Sequence, residues 1–252
     1  MRTLMLLLAL VATPLFAADE TCPITAWHYP EGTPSSWGGV CASGTIQSPI
    51  ANNASQRTQA TLPKAELDYI AGSAYPVTLK NTRYELKVTP MFNGRLVYGS
   101  QTARLIQFHF HVPMEHQLDV WRGAKAELHL VHETPDGKVL VVAVAISVGA
   151  ENPAIAALQR IGDPGFCRSK ASVKDEQLVK MQALLPHETR RFITYIGSLT
   201  TPPCSEGIRF ILMNDGITAT QAQIDFLKVL AQGNARGTKS NHNPVTYRVA
   251  GQ

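Results

Sequence analysis

Beyond its N-terminal stretch the sequence has no long apolar run, no block of like charge, no C-x-x-C pair and no internal repeat. A transmembrane helix needs about 20 consecutive apolar residues, so the missing run excludes a spanning helix there. Charged residues make up 17% of the chain, and a net charge of +4 is spread along it. That pattern gives no footprint for nucleic acid and reads as a solvated surface. Without C-x-x-C pairs, zinc-knuckle and redox motifs have no support. With no repeat, linker or low-complexity tract, one domain is the simplest organisation for 252 residues.

The one sizeable apolar run is Leu4–Val11, after the positive Arg2 and before Pro14 and Phe16-Ala17-Ala18. It is too short to span and has the layout of a secretory signal, so residues 1–18 are expected to be removed. The mature chain, 19–252, then carries no membrane segment, and loss of Arg2 takes the net charge from +4 to +3. Cys22, Cys41, Cys167 and Cys204 all lie in it. An even count behind a secretory signal points to disulfides but leaves their pairing open.

Residues 19–60, rich in Pro, Gly, Ser and Asn, read as an ordered surface coil. From about 62 to 148, β-rich runs alternate with turn residues: Tyr75–Leu79, Tyr84–Val88, Arg95–Tyr98, Leu105–His111, Glu127–His132 and Val139–Val148. Thr134-Pro135-Asp136-Gly137 is a turn between two of them. Helices are expected over Pro153 to about Arg160 behind an Asn152 cap, and over Val173–Leu185. A third should follow Thr220, with Gln223 completing a capping box and Gly233 ending it. The expected fold is mainly β with peripheral helices (α+β), a single domain on a large, mostly antiparallel, twisted central sheet.

Gln107-Phe108-His109-Phe110-His111 is the most informative segment. On a strand, Gln107, His109 and His111 share one face while Phe108 and Phe110 enter apolar packing on the other. Glu127-Leu128-His129-Leu130-Val131 repeats the alternation, with Glu127, His129 and Val131 on one face. If the two strands pair, about 4.8 Å apart, three imidazoles converge. Three histidines with an open fourth position are a ligand set for catalytic zinc. Gln107 and Glu127 each precede a histidine by two residues and can fix its second ring nitrogen. His28, His116, His132, His187 and His242 are treated as structural or surface residues, His132 facing away from His129.

These motifs, with Glu115-His116 and Gly197-Ser198-Leu199-Thr200-Thr201-Pro202-Pro203-Cys204, closely resemble the α-class carbonic anhydrases. So do Trp37-Gly38 through Gln47-Ser48-Pro49-Ile50 and Leu184-Leu185-Pro186, and the likeness runs from about Trp27 to Pro244. The resemblance implies Zn2+ on His109, His111 and His129, and reversible hydration of carbon dioxide to bicarbonate and a proton. The attacking hydroxide comes from a zinc-bound water ionised near neutral pH, for which carbonic anhydrase is itself the reference case. It assigns Glu115 and Thr200 to orienting that nucleophile and Thr200 with Thr201 to the substrate. Val131, Val141 and Leu199 form the apolar wall, and Tyr29 belongs to the water network. It also implies a Cys41–Cys204 disulfide, which leaves Cys22 with Cys167. A short signal without an anchor suits a secreted enzyme of the bacterial periplasm. Nothing in the residues chooses between monomer and homodimer.

Two departures stand out. Phe210, beside Arg209, occupies the place of the family's usual tryptophan. Asn81-Thr82-Arg83-Tyr84 lacks the family's proton-relaying histidine. Arginine stays protonated and tyrosine titrates near 10, so neither suits a relay at about pH 7. Proton release is expected to be slower or to use a group such as His28 or His242. Two other readings fit the residues less well. A catalytically silent module on this scaffold would typically have lost a zinc histidine, and none is lost. His109-x-His111-x-x-x-Glu115 also fits the first metal motif of cupins, with Glu115 as a ligand. However, Ala103 stands where that motif wants glycine, and no later Pro-x-Gly-x-x-His follows.

Overall fold

Period-two alternation and β-branched content decide this architecture. The computed structural model describes residues 29, 37–69, 72–82 and 84–249. The expected signal, residues 1–18, and Cys22, Trp27, His28 and Arg83 lie outside that set. A 13-stranded twisted sheet dominates. Its main path runs Ser169–Ala171, Val77–Asn81, Leu86–Pro90, Gln101–His111, Ala126–Glu133, Val139–Val148, Glu206–Met213, Phe192–Ser198, Thr246–Arg248, Thr58–Gln59. Pairing is mostly antiparallel. Val139–Val148 meets both Glu206–Met213 and Ile217–Ala219 in parallel, and Thr246–Arg248 meets Thr58–Gln59 the same way. The expected single-domain, mainly β fold is the one observed, its sheet mixed in sense.

The central strands are buried on both faces and separate two apolar clusters. On one face Phe108, Phe110, Leu128, Leu130, Val142 and Val144 pack with the helices Pro153–Ile161 and Gln221–Ala231. On the other, Val131, Val141, Ile208 and Phe210 form a smaller cluster. Full burial of each phenylalanine is worth roughly 1.5–3 kcal/mol. A one-residue slip would turn Phe108 and Phe110 out of the core, so they fix the register. That register sets His109 opposite His129, His111 opposite Glu127, and Val131 opposite both Gln107 and Val141. An irregularity between Leu105 and Gln107 lets Leu105 enter the same core as Phe108 and Phe110.

Two of the three expected helices form as their caps dictate. Asn152 accepts from the Ala154 and Ile155 N–H groups, and Thr220 with Gln223 makes the reciprocal capping box. The second helix ends on Gln232 and Gly233, both at positive φ. The expected helix over Val173–Leu185 does not form. Val179 pairs with Tyr75 as an isolated β-bridge, and Gln177 turns its Oε1 back to the Val173 and Lys174 N–H groups. Only the 3-10 turns Asp175–Gln177 and Met181–Leu184 remain, because these outside bonds draw the backbone away from i,i+4 pairing. Within residues 37–60, the expected coil contains a short helix, Gly39–Ser43, and the two-residue strands Ala51–Asn52 and Thr58–Gln59. Thr134 and Gly137 close the expected turn, with Gly137 at φ 80°.

His132 faces away from His129, as alternation requires, and its Nε2 lies 2.7 Å from the Tyr69 hydroxyl inside the larger core. Burial lowers its pKa to about 4. Above about pH 6.5 it is neutral in folded and unfolded chains alike; between about 6.5 and 4 only the unfolded chain takes up the proton. Stability therefore falls with pH through that window, by about 2 kcal/mol at pH 5 from this residue alone. Urea titrations at pH 7.5 and 5 should show a smaller loss in His132→Gln than in the parent, and equal losses would contradict this.

Candidate metal centre

The paired strands carry out the convergence that alternation implies. His109, His111 and His129 are buried, and one ring nitrogen from each lies within 4.8 Å of the others. Ring centroids stand 4.9, 5.2 and 4.6 Å apart. Each ring is aimed by an acceptor on its other nitrogen. His109 Nδ1 donates to Gln107 Oε1 at 2.9 Å, His111 Nδ1 to the Asn234 carbonyl at 2.7 Å, and His129 Nε2 to Glu127 Oε1 at 2.7 Å. The protons being fixed there, His109 Nε2, His111 Nε2 and His129 Nδ1 keep free lone pairs.

Burial, with mutual repulsion, keeps the His109 and His111 rings neutral. Burial lowers the pKa of His109 well below its usual value, and repulsion from His111 and His129 adds to the effect. Burial and His129 lower His111 to about 3. His111 Nε2 is buried without a hydrogen-bond partner. An orphaned nitrogen is costly unless something accepts its lone pair, and a divalent cation does so. Three neutral imidazoles converging on one point fit zinc in chemistry and number.

Glu127 is the carboxylate behind the centre. Its Oε1 accepts from the His129 and His116 rings, and its Oε2 from the Glu115 and His116 backbone N–H groups at 2.9 and 2.8 Å. Burial alone would raise its pKa, but His116, His129 and their hydrogen bonds hold it well below the usual carboxylate range. From His116 the chain of bonds continues through the Tyr195 hydroxyl at 2.6 Å to Ser48 Oγ at 2.8 Å, and Ser48 Oγ accepts from the Ser198 N–H. The network thus ends at the start of the Leu199-Thr200-Thr201 loop.

Glu115 lies beside the centre rather than in the ligand set. Its Oε1 accepts from the Arg236 N–H at 2.9 Å, and its Oε2 is 3.4 Å from His111 Nε2. Burial, with the charge of Glu127, raises its pKa well above normal, opposed by the Arg236 N–H and the Thr200 hydroxyl. Glu115 Oε2 has no hydrogen bond of standard geometry, so Thr200 is a near neighbour that favours ionisation rather than a full partner. The cupin arrangement is not built, because the third nitrogen comes from His129.

Val131, Val141, Ile208 and Phe210 cluster beside the histidines, with Leu199 packed against them. The Phe210 ring is 5.8 Å from His129 and stacks on Tyr195 at 5.2 Å. A disulfide joins Cys41 to Cys204, and Gln47 Nε2 donates to the Cys204 carbonyl and to Glu206. Cys167 is also disulfide-bonded. Tyr29 packs edge-on against Trp37 and Tyr84 at 5.5 and 6.1 Å. Its pKa is raised well above normal by burial, then by Glu115 and Glu85, so it neighbours both carboxylates.

Asn234, Arg236, Glu85 and Lys87 of this neighbourhood are not singled out by the sequence. Asn234 and Arg236 carry no local signal, since they reach His111 and Glu115 across more than 120 positions. Glu85 and Lys87 did carry one. Alternation in Tyr84–Val88 puts both opposite the core residues Leu86 and Val88, and Glu85 Oε2 lies 3.8 Å from His109 Nε2.

Comparison with known proteins agrees with this geometry. The eukaryotic-type carbonic anhydrase family model matches residues 32–248. A carbonic anhydrase of Pectobacterium carotovorum is 33% identical over 237 residues, covering 91% of this chain and 93% of its own. The Photobacterium profundum α-carbonic anhydrase structure superposes with TM-score 0.73 at 32% identity, covering 82% of this chain and 91% of that one. Chlamydomonas reinhardtii carbonic anhydrase Cah3, solved in complex with acetazolamide, gives 0.76 at 30% identity, over 89% of this chain and 100% of that one. The family match spans most of the chain and the fold agrees with it, so this protein belongs to the α-carbonic anhydrases.

Proposed function

We propose that this carbonic anhydrase hydrates carbon dioxide reversibly at a zinc ion held by His109 Nε2, His111 Nε2 and His129 Nδ1. The observation that carries the reading is the convergence of three buried imidazoles whose other nitrogens are all held by acceptors. When bound, zinc supplies a Lewis acid that makes a hydroxide nucleophile available near neutral pH and favours the ionised form of Glu115.

The protein's own groups then orient and shield. Ionised Glu115 can only accept, so it takes the proton of the neighbouring Thr200 hydroxyl. The Thr200 oxygen is left as an acceptor, which turns a lone pair of the nucleophilic oxygen toward the substrate carbon. The Thr200 N–H faces the oxygen on which charge develops, with Thr201 alongside. Carbon dioxide is apolar, and Val131, Val141 and Leu199 supply an apolar wall with the Phe210 ring behind it. Phenylalanine in place of tryptophan leaves that wall aromatic and smaller. Tyr29 links the outer water network to the site.

Residues 1–18 act as a cleaved secretory signal, and the mature 19–252 domain works in the bacterial periplasm. The Cys41–Cys204 disulfide supports an oxidising compartment. No helix of the described residues is long and apolar enough to cross a membrane. Cys22, which the pairing leaves for Cys167, would complete a second bridge.

Zinc analysis with a carbon dioxide hydration assay tests the reading. The purified protein should hold one zinc per chain, and His111→Ala should lose both zinc and hydration. Stoichiometric zinc without hydration in the parent would instead favour a silent module. Thr200→Val should keep its zinc while kcat/KM drops by about 10²-fold, the usual cost of a misaimed nucleophile. Because position 83 is arginine, proton release should depend on external carriers, and turnover should climb with imidazole buffer concentration. A flat response would rule out an impaired relay.

A further inference from the structure

We propose that Glu85 sets the anion selectivity of the metal centre, its fixed negative charge beside His109 disfavouring anionic ligands at the open coordination position. The inference rests on the metal reading above and adds a residue that reading does not use. Val88 sits opposite Phe108 in the sheet, so alternation places Lys87 and Glu85 on the face that carries Gln107 and His109. Glu85 Oε2 lies 3.8 Å from His109 Nε2, the nitrogen that Gln107 leaves free. The turn holding it is pinned: the Glu85 N–H donates to Thr82 Oγ1 at 3.2 Å, and the Thr82 N–H to the Glu85 carbonyl at 3.0 Å.

Glu85 is not a ligand in this arrangement, since the converging group consists of the three histidines alone. It acts through its field. Its other oxygen pairs with Lys87 Nζ at 3.2 Å, and the lysine side chain is 38% exposed against 17% for the glutamate. Solvent screens the more exposed cation more strongly, so the pair presents net negative charge to the site. Carbon dioxide is neutral and is not repelled on entry. Anions, including the bicarbonate product, meet an unfavourable potential and leave more readily.

The test uses the cobalt(II)-substituted mature chain, with thiocyanate binding followed by visible absorption. Glu85→Gln should tighten thiocyanate binding by about tenfold, the scale expected for a unit charge at this distance in a partly screened site. Lys87→Gln should shift it the opposite way, by several-fold, an outcome that general loosening of the fold does not produce. Imidazole at about pH 8.5, well above the pKa of its conjugate acid, is neutral and should bind all three proteins alike. Thiocyanate affinities within twofold of the parent in both variants would overturn the proposal. So would parallel shifts for imidazole and thiocyanate, which would mean shape rather than charge. If the parent fails to take up one cobalt per chain, the metal reading itself falls; uptake with indifferent thiocyanate binding removes only the role of Glu85.

Discussion

The buried carboxylate of Glu127 is the constraint on which the centre depends. It accepts four hydrogen bonds, two from imidazole rings and two from the backbone of Glu115 and His116. One group therefore fixes the tautomer of His129, the orientation of His116 and the position of the segment that carries Glu115. A buried carboxylate persists only when its lone pairs are satisfied, and breaking such a set costs on the order of 3–5 kcal/mol. This gives the segment little freedom to move. The geometry around His129 is consequently set before any ion arrives.

What holds Glu127 in place is apolar. Glu127 and His129 alternate with Leu128 and Leu130, as His109 and His111 do with Phe108 and Phe110. The polar face is rigid because the opposite face is locked into a core with two helices behind it. The far side of the site is closed by a different device. Arg236 donates to the Ser48 and Cys41 carbonyls at 2.7 and 3.0 Å, and its guanidinium lies over the Trp37 ring at 5.5 Å. Its backbone N–H meanwhile holds Glu115. The Cys41–Cys204 bridge ties this corner to the Thr200 loop, so Glu115 and Thr200 are approached from two independently anchored segments.

The strands that carry the three histidines and the apolar wall were legible because period-two alternation is a local signal. Gln107 and Glu127 were legible for the same reason. The segment Val173–Leu185 misled because helical propensity was the only local information, and a bridge to Tyr75 about a hundred residues away overrode it. Strands Phe192–Ser198 and Glu206–Met213 fell outside the expected β region. Phe192–Ser198 is buried or nearly so along its length and shows no alternation to read. Asn234 and Arg236 hold His111 and Glu115 through backbone groups, whose hydrogen bonds leave little trace in side-chain identity, and their own side chains bond across more than 120 positions. Glu85 and Lys87 differ from these: the pattern was present, but a charged pair at the start of a strand reads as solvated surface until its distance to His109 is known.

These charges combine into a simple electrostatic plan. Metal binding ordinarily competes with protons for histidine, and the ligands must be deprotonated first. Here burial and mutual repulsion have already lowered His109 and brought His111 to about 3. At these two ligands folding therefore does the deprotonation. The cost is stored as three crowded, desolvated imidazoles and the orphaned His111 nitrogen. A divalent cation relieves all of these strains together. Of the three carboxylates around this point, Glu115 and Glu127 are fully buried and Glu85 is partly open. The two buried carboxylates are held by hydrogen bonds from the protein, whereas Glu85 is the one of the three that also faces solvent.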